Sequence, residues 1–222
     1  MKLTAEKRPG RPKDDELRES RCEEILAMAA KLFAKHGYAD TDTQLLADKL
    51  GVGKGTLYRY FPSKSKLFLA AADRVMRALR EQINANMKGI KDPLDQIAVA
   101  VRTCLVFCED HPEFVELLLQ ERAQFKDRKK PTYFEHREAN VERWNALYRN
   151  LIAQGRVRDM PVERITDVMS QVLYGAMFIN YFAGQQKPPE EQAQDILDVV
   201  FHGILSDAER PMRRKKDNGT VK

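Results

Sequence analysis

The chain has 222 residues, of which 43% are hydrophobic and 32% charged, so it can form a core. No apolar run approaches the about 18 residues of a membrane helix, and the start MKLTAEKRPGRPKDD lacks the apolar stretch of a secretory signal. Three cysteines, Cys22, Cys104 and Cys108, cannot all pair with one another. We therefore expect a reduced, cytoplasmic protein without contact to a membrane.

Positive charge is concentrated at the two ends of the chain. Residues 1–66 carry 14 basic and 10 acidic side chains (+4), residues 67–208 carry 18 and 21 (−3), and residues 209–222 carry 6 and 2 (+4). A polyanionic partner is expected to meet the N-terminal third. The basic run at 210–216 is interpreted as a solvated tail.

Helical periodicity dominates the sequence, and alternating strand patterns are nearly absent, so the fold class is expected to be all-α. The first helix is expected over residues 14–36, because one face is apolar and Gly37 provides a stop. Its apolar positions are Cys22, Ile25, Ala29, Leu32 and Phe33.

Two short helices follow, joined by the turn Gly51-Val52-Gly53, which is the pattern of a helix-turn-helix. The first is expected to start with a capping box, with Thr41 as N-cap and Gln44 reaching back. The second is expected over residues 54–60 and ends before Pro62. Ser63 is positioned to cap the helix that follows.

The second short helix carries hydrogen-bond donors and aromatic side chains rather than acids. A helix of this length fits the major groove of DNA. From the residue pattern alone, an amphipathic helix pair inside an ordinary bundle remains the alternative. The polar and aromatic positions are Lys54, Gly55, Thr56, Tyr58, Arg59 and Tyr60.

This region resembles the DNA-binding domain of the TetR family of transcriptional regulators. The resemblance covers about residues 15–70 and rests on FAKHGY at 33–38, Thr41, LA at 46–47, GVGKGTLYRYFPSK at 51–64 and Leu67. It implies a homodimer that binds a near-palindromic double-stranded DNA operator and releases it when a small molecule enters an all-α C-terminal domain.

The resemblance also assigns DNA contacts. Gly55 is expected to allow a close approach to the groove. The family usually has hydroxyl residues at the positions of Asp42 and Gly53, so these two residues depart from the family pattern. Expected base contacts are Thr43, Gln44, Lys54 and Tyr58, and expected phosphate contacts are Thr41, Thr56, Tyr60 and Lys64.

The N-terminal arm offers a second contact with DNA. Residues 7–13, KRPGRPK, resemble an AT-hook core, in which arginine in an extended Gly/Pro context enters a narrow minor groove. Arg8 and Arg11 are the expected contacts. A tail that attracts DNA only non-specifically is the alternative.

Beyond residue 91 the sequence predicts five longer helices, over residues 93–109, 112–125, 132–153, 162–183 and 190–205. The last two carry more apolar surface than a monomer easily hides, so a homodimer through them is expected. Aromatic residues suggest a site for an apolar or aromatic effector. These are Phe107, Phe114, Trp144, Tyr148 and Phe178.

Cys104, Cys108 and His111 lie on one face of a predicted helix, and two interpretations of them stay open. They form a metal or redox sensor, or they belong to a buried apolar stripe. No catalytic arrangement and no phosphate-binding loop is recognisable, so neither an enzyme, a cofactor nor a resident metal is expected.

The expected organisation is a basic arm (residues 1–14), a helix-turn-helix head (15–64), a helical body for ligand binding and dimerisation (65–208) and a basic tail (209–222). The expected function is a ligand-responsive repressor. The alternatives are a local activator, a corepressor-dependent regulator, or a helical ligand-binding module with little DNA activity.

Overall fold

A computed structural model describes residues 12–184 and 187–203 of the chain, with side chains from residue 15 onward. These residues form helices joined by short connections and contain no strand, which confirms the all-α prediction. None of their helices is long and apolar enough to cross a membrane. The helices are α1 (Pro12–Asp40), α2 (Thr43–Lys49), α3 (Lys54–Tyr60), α4 (Lys64–Met87), α5 (Pro93–Asp110), α6 (Pro112–Gln124), α7 (Thr132–Ala153), α8 (Val162–Ala183) and α9 (Pro189–His202).

The breakers in the sequence set most helix ends. Gly37 interrupts α1 with φ 81° and ψ 159°, a backbone conformation that favours glycine. The Ser63 hydroxyl accepts the N–H of Lys66 at 3.1 Å and caps α4, as predicted. Helices α3, α7 and α8 have the predicted bounds, and α5, α6 and the start of α9 differ from prediction by one residue. The predicted end of α9 at Leu205 lies outside the described residues.

The predicted capping box at the start of α2 is wrong. Asp42 is the N-cap, and its carboxylate accepts the N–H of Gln44 at 2.7 Å. Thr41 is only 3% exposed, and its hydroxyl donates to the carbonyl oxygen of Gly37 at 2.6 Å. The break at Gly37 leaves carbonyl groups of α1 without helical partners, and Thr41 satisfies them instead of starting α2.

A continuous apolar core joins the head to part of the body. Phe33, Leu46 and Leu57 of the head are completely buried together with Phe68 of α4. The same cluster extends to α5, α6 and α8. The Gln120 side chain of α6 also donates to the carbonyl oxygen of Phe33 at 2.8 Å. Helix α4 therefore begins at the head and continues inside the body as one unbroken helix.

A second apolar cluster holds α5, α7, α8 and α9 together. It includes Val101, Tyr148, Leu151, Met169 and Leu197, all buried. Burying a side chain of this size stabilises the fold by about 1.5–3 kcal/mol. The two clusters lie on different faces of α5, which contributes Phe107 to the first and Val101 to the second.

Candidate DNA-binding surface and ligand cavity

Helices α2 and α3 are locked together by a small apolar contact and a tight turn. Leu46, Ala47 and Leu57 have no exposed surface. The N–H of Val52 donates to the Ala47 carbonyl oxygen at 3.0 Å, and Gly51 adopts φ 64° in the turn. The small Ala47 side chain lets the helices approach closely. This packing fixes α3 on the outside of the head.

Helix α3 presents its polar side to solvent. Lys54, Gly55 and Arg59 are exposed, whereas Thr56 is half-buried. The Lys54 ammonium lies 3.9 Å from the Asp42 carboxylate, and both side chains are largely exposed. Such a surface pair is worth about 0–1 kcal/mol, so Lys54 is available to another anion. An added Cβ at Gly55 would meet no atom within 4 Å, so nothing inside the chain requires glycine there.

Two of the predicted contact residues are buried instead of exposed. Thr41 is occupied at the end of α1, as described above. Thr43 is 5% exposed, and its hydroxyl lies 3.0 Å from the Tyr58 hydroxyl. Both side chains therefore help to build the head. The expectation that Thr43 lies on the exposed side of α2 is wrong, and the DNA contacts assigned to Thr41 and Thr43 stay predictions. Gln44 is exposed and donates to Asp48 at 2.7 Å.

Two aromatic residues of α3 and the first residue of α4 have structural partners of their own. The Tyr58 hydroxyl is bonded to Thr43, so Tyr58 also positions α3 against α2. Tyr60 is half-buried against the core. Lys64 donates to the Ala39 carbonyl oxygen at 2.7 Å and lies 5.2 Å from the centre of the Tyr38 ring. An ammonium group has three donors, so Lys64 keeps two for a phosphate.

The proposed minor-groove contacts Arg8 and Arg11 lie outside the described residues, as does the basic tail at 209–222. Of the predicted arm, only residues 12–14 are described, and they belong to α1. The contribution of the arm to DNA binding stays a prediction.

A cavity of about 210 Å³ lies in the body between α4, α5, α7 and α8. Its lining is mainly apolar, and burial raises the pKa of the lining residue Tyr148 to about 12, so this phenol stays neutral. The volume lies just below the range of about 300–1,000 Å³ that is typical of ligand sites. Apolar lining residues include Leu79, Ile83, Val101, Trp144, Met169 and Leu173.

The structure places two of the five predicted ligand residues at this cavity. Trp144 and Tyr148 line it. Phe107 and Phe114 are 1% and 2% exposed and pack against each other in the first apolar cluster, with ring centres 5.9 Å apart. Phe178 packs against Tyr174, also outside the lining. These three residues do not line this cavity, because Phe107 and Phe178 lie on other faces of α5 and α8 and Phe114 lies on α6, which is not part of the lining. Their contact with a ligand stays a prediction.

Sequence reasoning missed the polar residues of the cavity. Arg80 and Asn84 come from α4, and His136, Arg137 and Arg143 come from α7. The spacing of Arg80 and Asn84, four residues apart on one helix, was the available signal. This spacing does not show which other helix the two side chains face.

Cys104 and Cys108 are free, partly buried thiols of α5 that pack against the first apolar cluster, and of the two only Cys104 lines the cavity. The hydrogen bond between them and burial both raise the pKa of the Cys108 thiol. His111 lies against the Phe107 ring and 3.2 Å from Glu113. Among the described side chains, no group of three or more His, Cys, Asp or Glu residues is arranged to hold a metal ion.

Comparison with known proteins supports the interpretation of the head. The family model described as bacterial regulatory proteins, tetR family, matches residues 25–71. The nucleoid occlusion factor SlmA of Vibrio atlanticus is 34% identical over 109 residues, which are 49% of this chain and 56% of SlmA. The chain thus spans little more than half the length of this curated relative.

Solved structures match over a larger part of the chain. The TetR family transcriptional regulator PfmR of Thermus thermophilus has a TM-score of 0.65 and 25% identity, covering 82% of this chain and 99% of PfmR. AibR, solved with isovaleryl coenzyme A and operator DNA, has a TM-score of 0.61 and 21% identity, covering 82% of this chain and 98% of AibR.

An exposed helix α3 on a three-helix head, carried by a helical body with a cavity, is the arrangement expected of a DNA-binding transcriptional regulator. The match at residues 25–71 and the similarity to PfmR both support the resemblance to the TetR family. Residues 25–71 therefore carry the segment typical of the tetR family of bacterial regulatory proteins, and the fold is similar to that of PfmR.

Proposed function

We propose that the protein is a homodimeric repressor that binds a near-palindromic operator through α3 and releases it when a small molecule enters the body cavity. The observation that carries this proposal is the course of α4. The helix begins at Lys64, directly after α3, and its residues Met76, Leu79 and Arg80 line the cavity. A ligand that moves α4 therefore moves the recognition helix with it.

The apolar surface of α8 supports the dimer. Val168, Ile179 and Phe182 are 47%, 63% and 68% exposed, although they are large and apolar. With Val172 and Gly175 they recur at alternating intervals of four and three residues, which places them on one stripe. An added Cβ at Gly175 would meet nothing within 4 Å, so a partner helix has room to approach there. Val199 of α9, 51% exposed, adds to the apolar surface.

A polar chain connects the cavity to the head. His136, which lines the cavity, lies 2.7 Å from the Asp73 carboxylate of α4. Asp73 accepts from Arg77 at 3.0 Å, and Arg77 donates to Glu23 of α1 at 3.3 Å. Burial raises the pKa of Asp73, but hydrogen bonds from His136 and Arg77 outweigh it and hold that pKa below its ordinary value. A ligand that draws His136 away from Asp73 would disturb this chain of contacts.

The size and lining of the cavity favour a small apolar effector. AibR, a protein of the same fold, was solved with an acyl coenzyme A and DNA. We therefore extend the proposal to an effector with a short acyl chain. A corepressor response, in which the effector strengthens DNA binding, is the alternative, and the sign of the change in DNA affinity distinguishes the two.

Replacing Lys54 with alanine tests the DNA-binding surface. Binding-site selection from a random DNA library defines the operator, and shift assays at a stated salt concentration measure its affinity. Loss of a base contact by Lys54→Ala is expected to cost about 1–3 kcal/mol of binding free energy. Gly55→Val is expected to leave the fold intact, because the site is open, yet to weaken binding by obstructing the groove.

Lys91→Ala is the matched control, because this exposed lysine lies between α4 and α5. Its operator affinity should equal that of the wild type. Unchanged affinity in both Lys54→Ala and Gly55→Val would show that α3 does not enter the groove.

Asp73→Asn tests the coupling between cavity and head. The amide keeps the size of the carboxylate but removes the charge that holds His136 and Arg77. We expect octanoyl-CoA, the probe, to change operator affinity at least about fivefold less in Asp73→Asn than in the wild type, in the range of typical coupling energies. Asp110→Asn, at an exposed carboxylate near the end of α5, is the control. An equal response in all three proteins would remove Asp73 from the mechanism.

A further inference from the structure

The ionisable side chains that line the cavity include basic residues but no carboxylates. Its lining contains three arginines, Arg80, Arg137 and Arg143, together with His136, but no aspartate or glutamate. The remaining polar lining includes the neutral side chains Asn84 and Asn140. A cation facing an apolar cavity needs a counter-charge, because desolvation disfavours an isolated ion.

Two of these cations already have carboxylate partners, and two do not. His136 is paired with Asp73, and Arg137 with Asp167. Arg143 donates to the neutral side-chain oxygen of Asn84 and lies 5.7 Å from the centre of the Trp144 ring. Arg80 is half-buried and has no hydrogen-bond or ion-pair partner among the residues that the structure describes. Two guanidinium groups at one cavity therefore lack an acidic partner there.

The cationic and apolar parts of the lining occupy different depths. Arg143 and Asn84 are exposed, so this end of the cavity, between α4 and α7, faces solvent. Ile97, Val101 and Met169 of the same lining are buried in the body. The lining thus combines an exposed, positively charged rim with buried apolar side chains.

We propose that Arg80 and Arg143 form an anion-binding rim, and that the effector is an apolar chain that ends in, or is linked to, an anionic group. This inference rests on the proposed function and adds the chemical class of its ligand. The chain occupies the apolar interior, and the anion accepts hydrogen bonds from the two guanidinium groups. Arginine presents a planar fork of donors that suits carboxylate and phosphate oxygens. The volume of about 210 Å³ limits the chain to short or medium length.

Two sources share this chemistry, namely a free carboxylate and the acyl thioester of a phosphorylated carrier. Octanoate and octanoyl-CoA represent them, and 1-octanol is the neutral probe with the same chain. Calorimetry on the full-length protein measures the affinity of each. At least one anionic probe is expected to bind about tenfold or more tightly than 1-octanol, because hydrogen bonds to charged groups contribute more than those between neutral groups.

Substitution of the two rim arginines is the second part of the test. The double variant Arg80→Gln/Arg143→Gln is expected to lose about tenfold or more in affinity for the anionic probe, with no change for 1-octanol. Arg149→Gln is the matched control, because Arg149 is an exposed arginine of α7 that pairs with Glu142, outside the lining. Circular dichroism and thermal melting establish that each variant is folded.

The outcomes distinguish a free carboxylate from a phosphorylated carrier as the ligand, and they test the anionic rim separately from the proposed function. Tight binding of octanoate identifies a carboxylate ligand, and tight binding of octanoyl-CoA alone identifies recognition of the carrier phosphates. Equal binding of 1-octanol, no binding of either anion, or undiminished binding by the double variant would each overturn the anionic rim. An anion that binds at the rim but leaves operator affinity unchanged would contradict the proposed function and not this inference.

Discussion

Ile179→Glu is expected to convert the dimer into monomers and to abolish tight operator binding. Ile179 is 63% exposed in the protomer and lies between Gly175 and Phe182 on the α8 stripe. Because the side chain is exposed, glutamate there should not disturb the fold of one chain. In the dimer it would place an unpaired charge in an apolar contact, at a cost of several kcal/mol of association. Sedimentation at micromolar concentration measures the association state.

Operator binding should fall together with dimerisation, because a single half-site offers half of the contacts. Ala146→Glu is the control, since this exposed residue lies on α7 and not on the stripe. A monomeric Ile179→Glu protein that still binds the operator tightly would refute the dimer model of recognition. An Ile179→Glu variant that remains dimeric would show that the dimer interface does not include the α8 stripe.

Arg128→Ala is expected to have the largest effect on the stability of the protomer. Glu121 is 1% exposed, and its carboxylate is bonded to Arg128, the Thr132 N–H at 2.9 Å and the Thr132 hydroxyl at 3.1 Å. These contacts fix the connection between α6 and α7. Removing Arg128 leaves a buried charge without its counter-ion, which costs about 3–5 kcal/mol. Chemical denaturation measures the free energy of unfolding.

Two further variants make the result specific to the buried charge. Glu121→Gln in the Arg128→Ala background should recover part of the lost stability, because a neutral amide needs no counter-ion. Arg149→Ala breaks an exposed pair with Glu142 and should cost only about 0–1 kcal/mol. Equal losses for Arg128→Ala and Arg149→Ala would show that the Glu121 contact adds no stability beyond that of a surface pair.

The helices and the recognition motif were predictable because their signals are local. Gly37, Ser63 and Pro112 act on the backbone within one turn of their own position, so the helix ends that they set do not depend on tertiary contacts. The order and spacing of residues 33–67 also carried the family resemblance, which the match at residues 25–71 confirms. The DNA contacts assigned to exposed residues such as Lys54 remain predictions.

The tertiary structure decided which side chains are exposed and which distant residues meet at one site. Thr41 and Thr43 looked like solvent-facing residues at a helix start, but the break at Gly37 and the Tyr58 hydroxyl bury them. The same holds for the cavity, where Arg80 of α4 lies more than fifty residues from Arg137 and Arg143 of α7 in the sequence. Helical periodicity shows that a residue lies on a face, but only the packing of α4 against α5, α7 and α8 determines what that face meets. Burial of Glu121, the polar chain to Glu23 and the charged rim all depend on this packing.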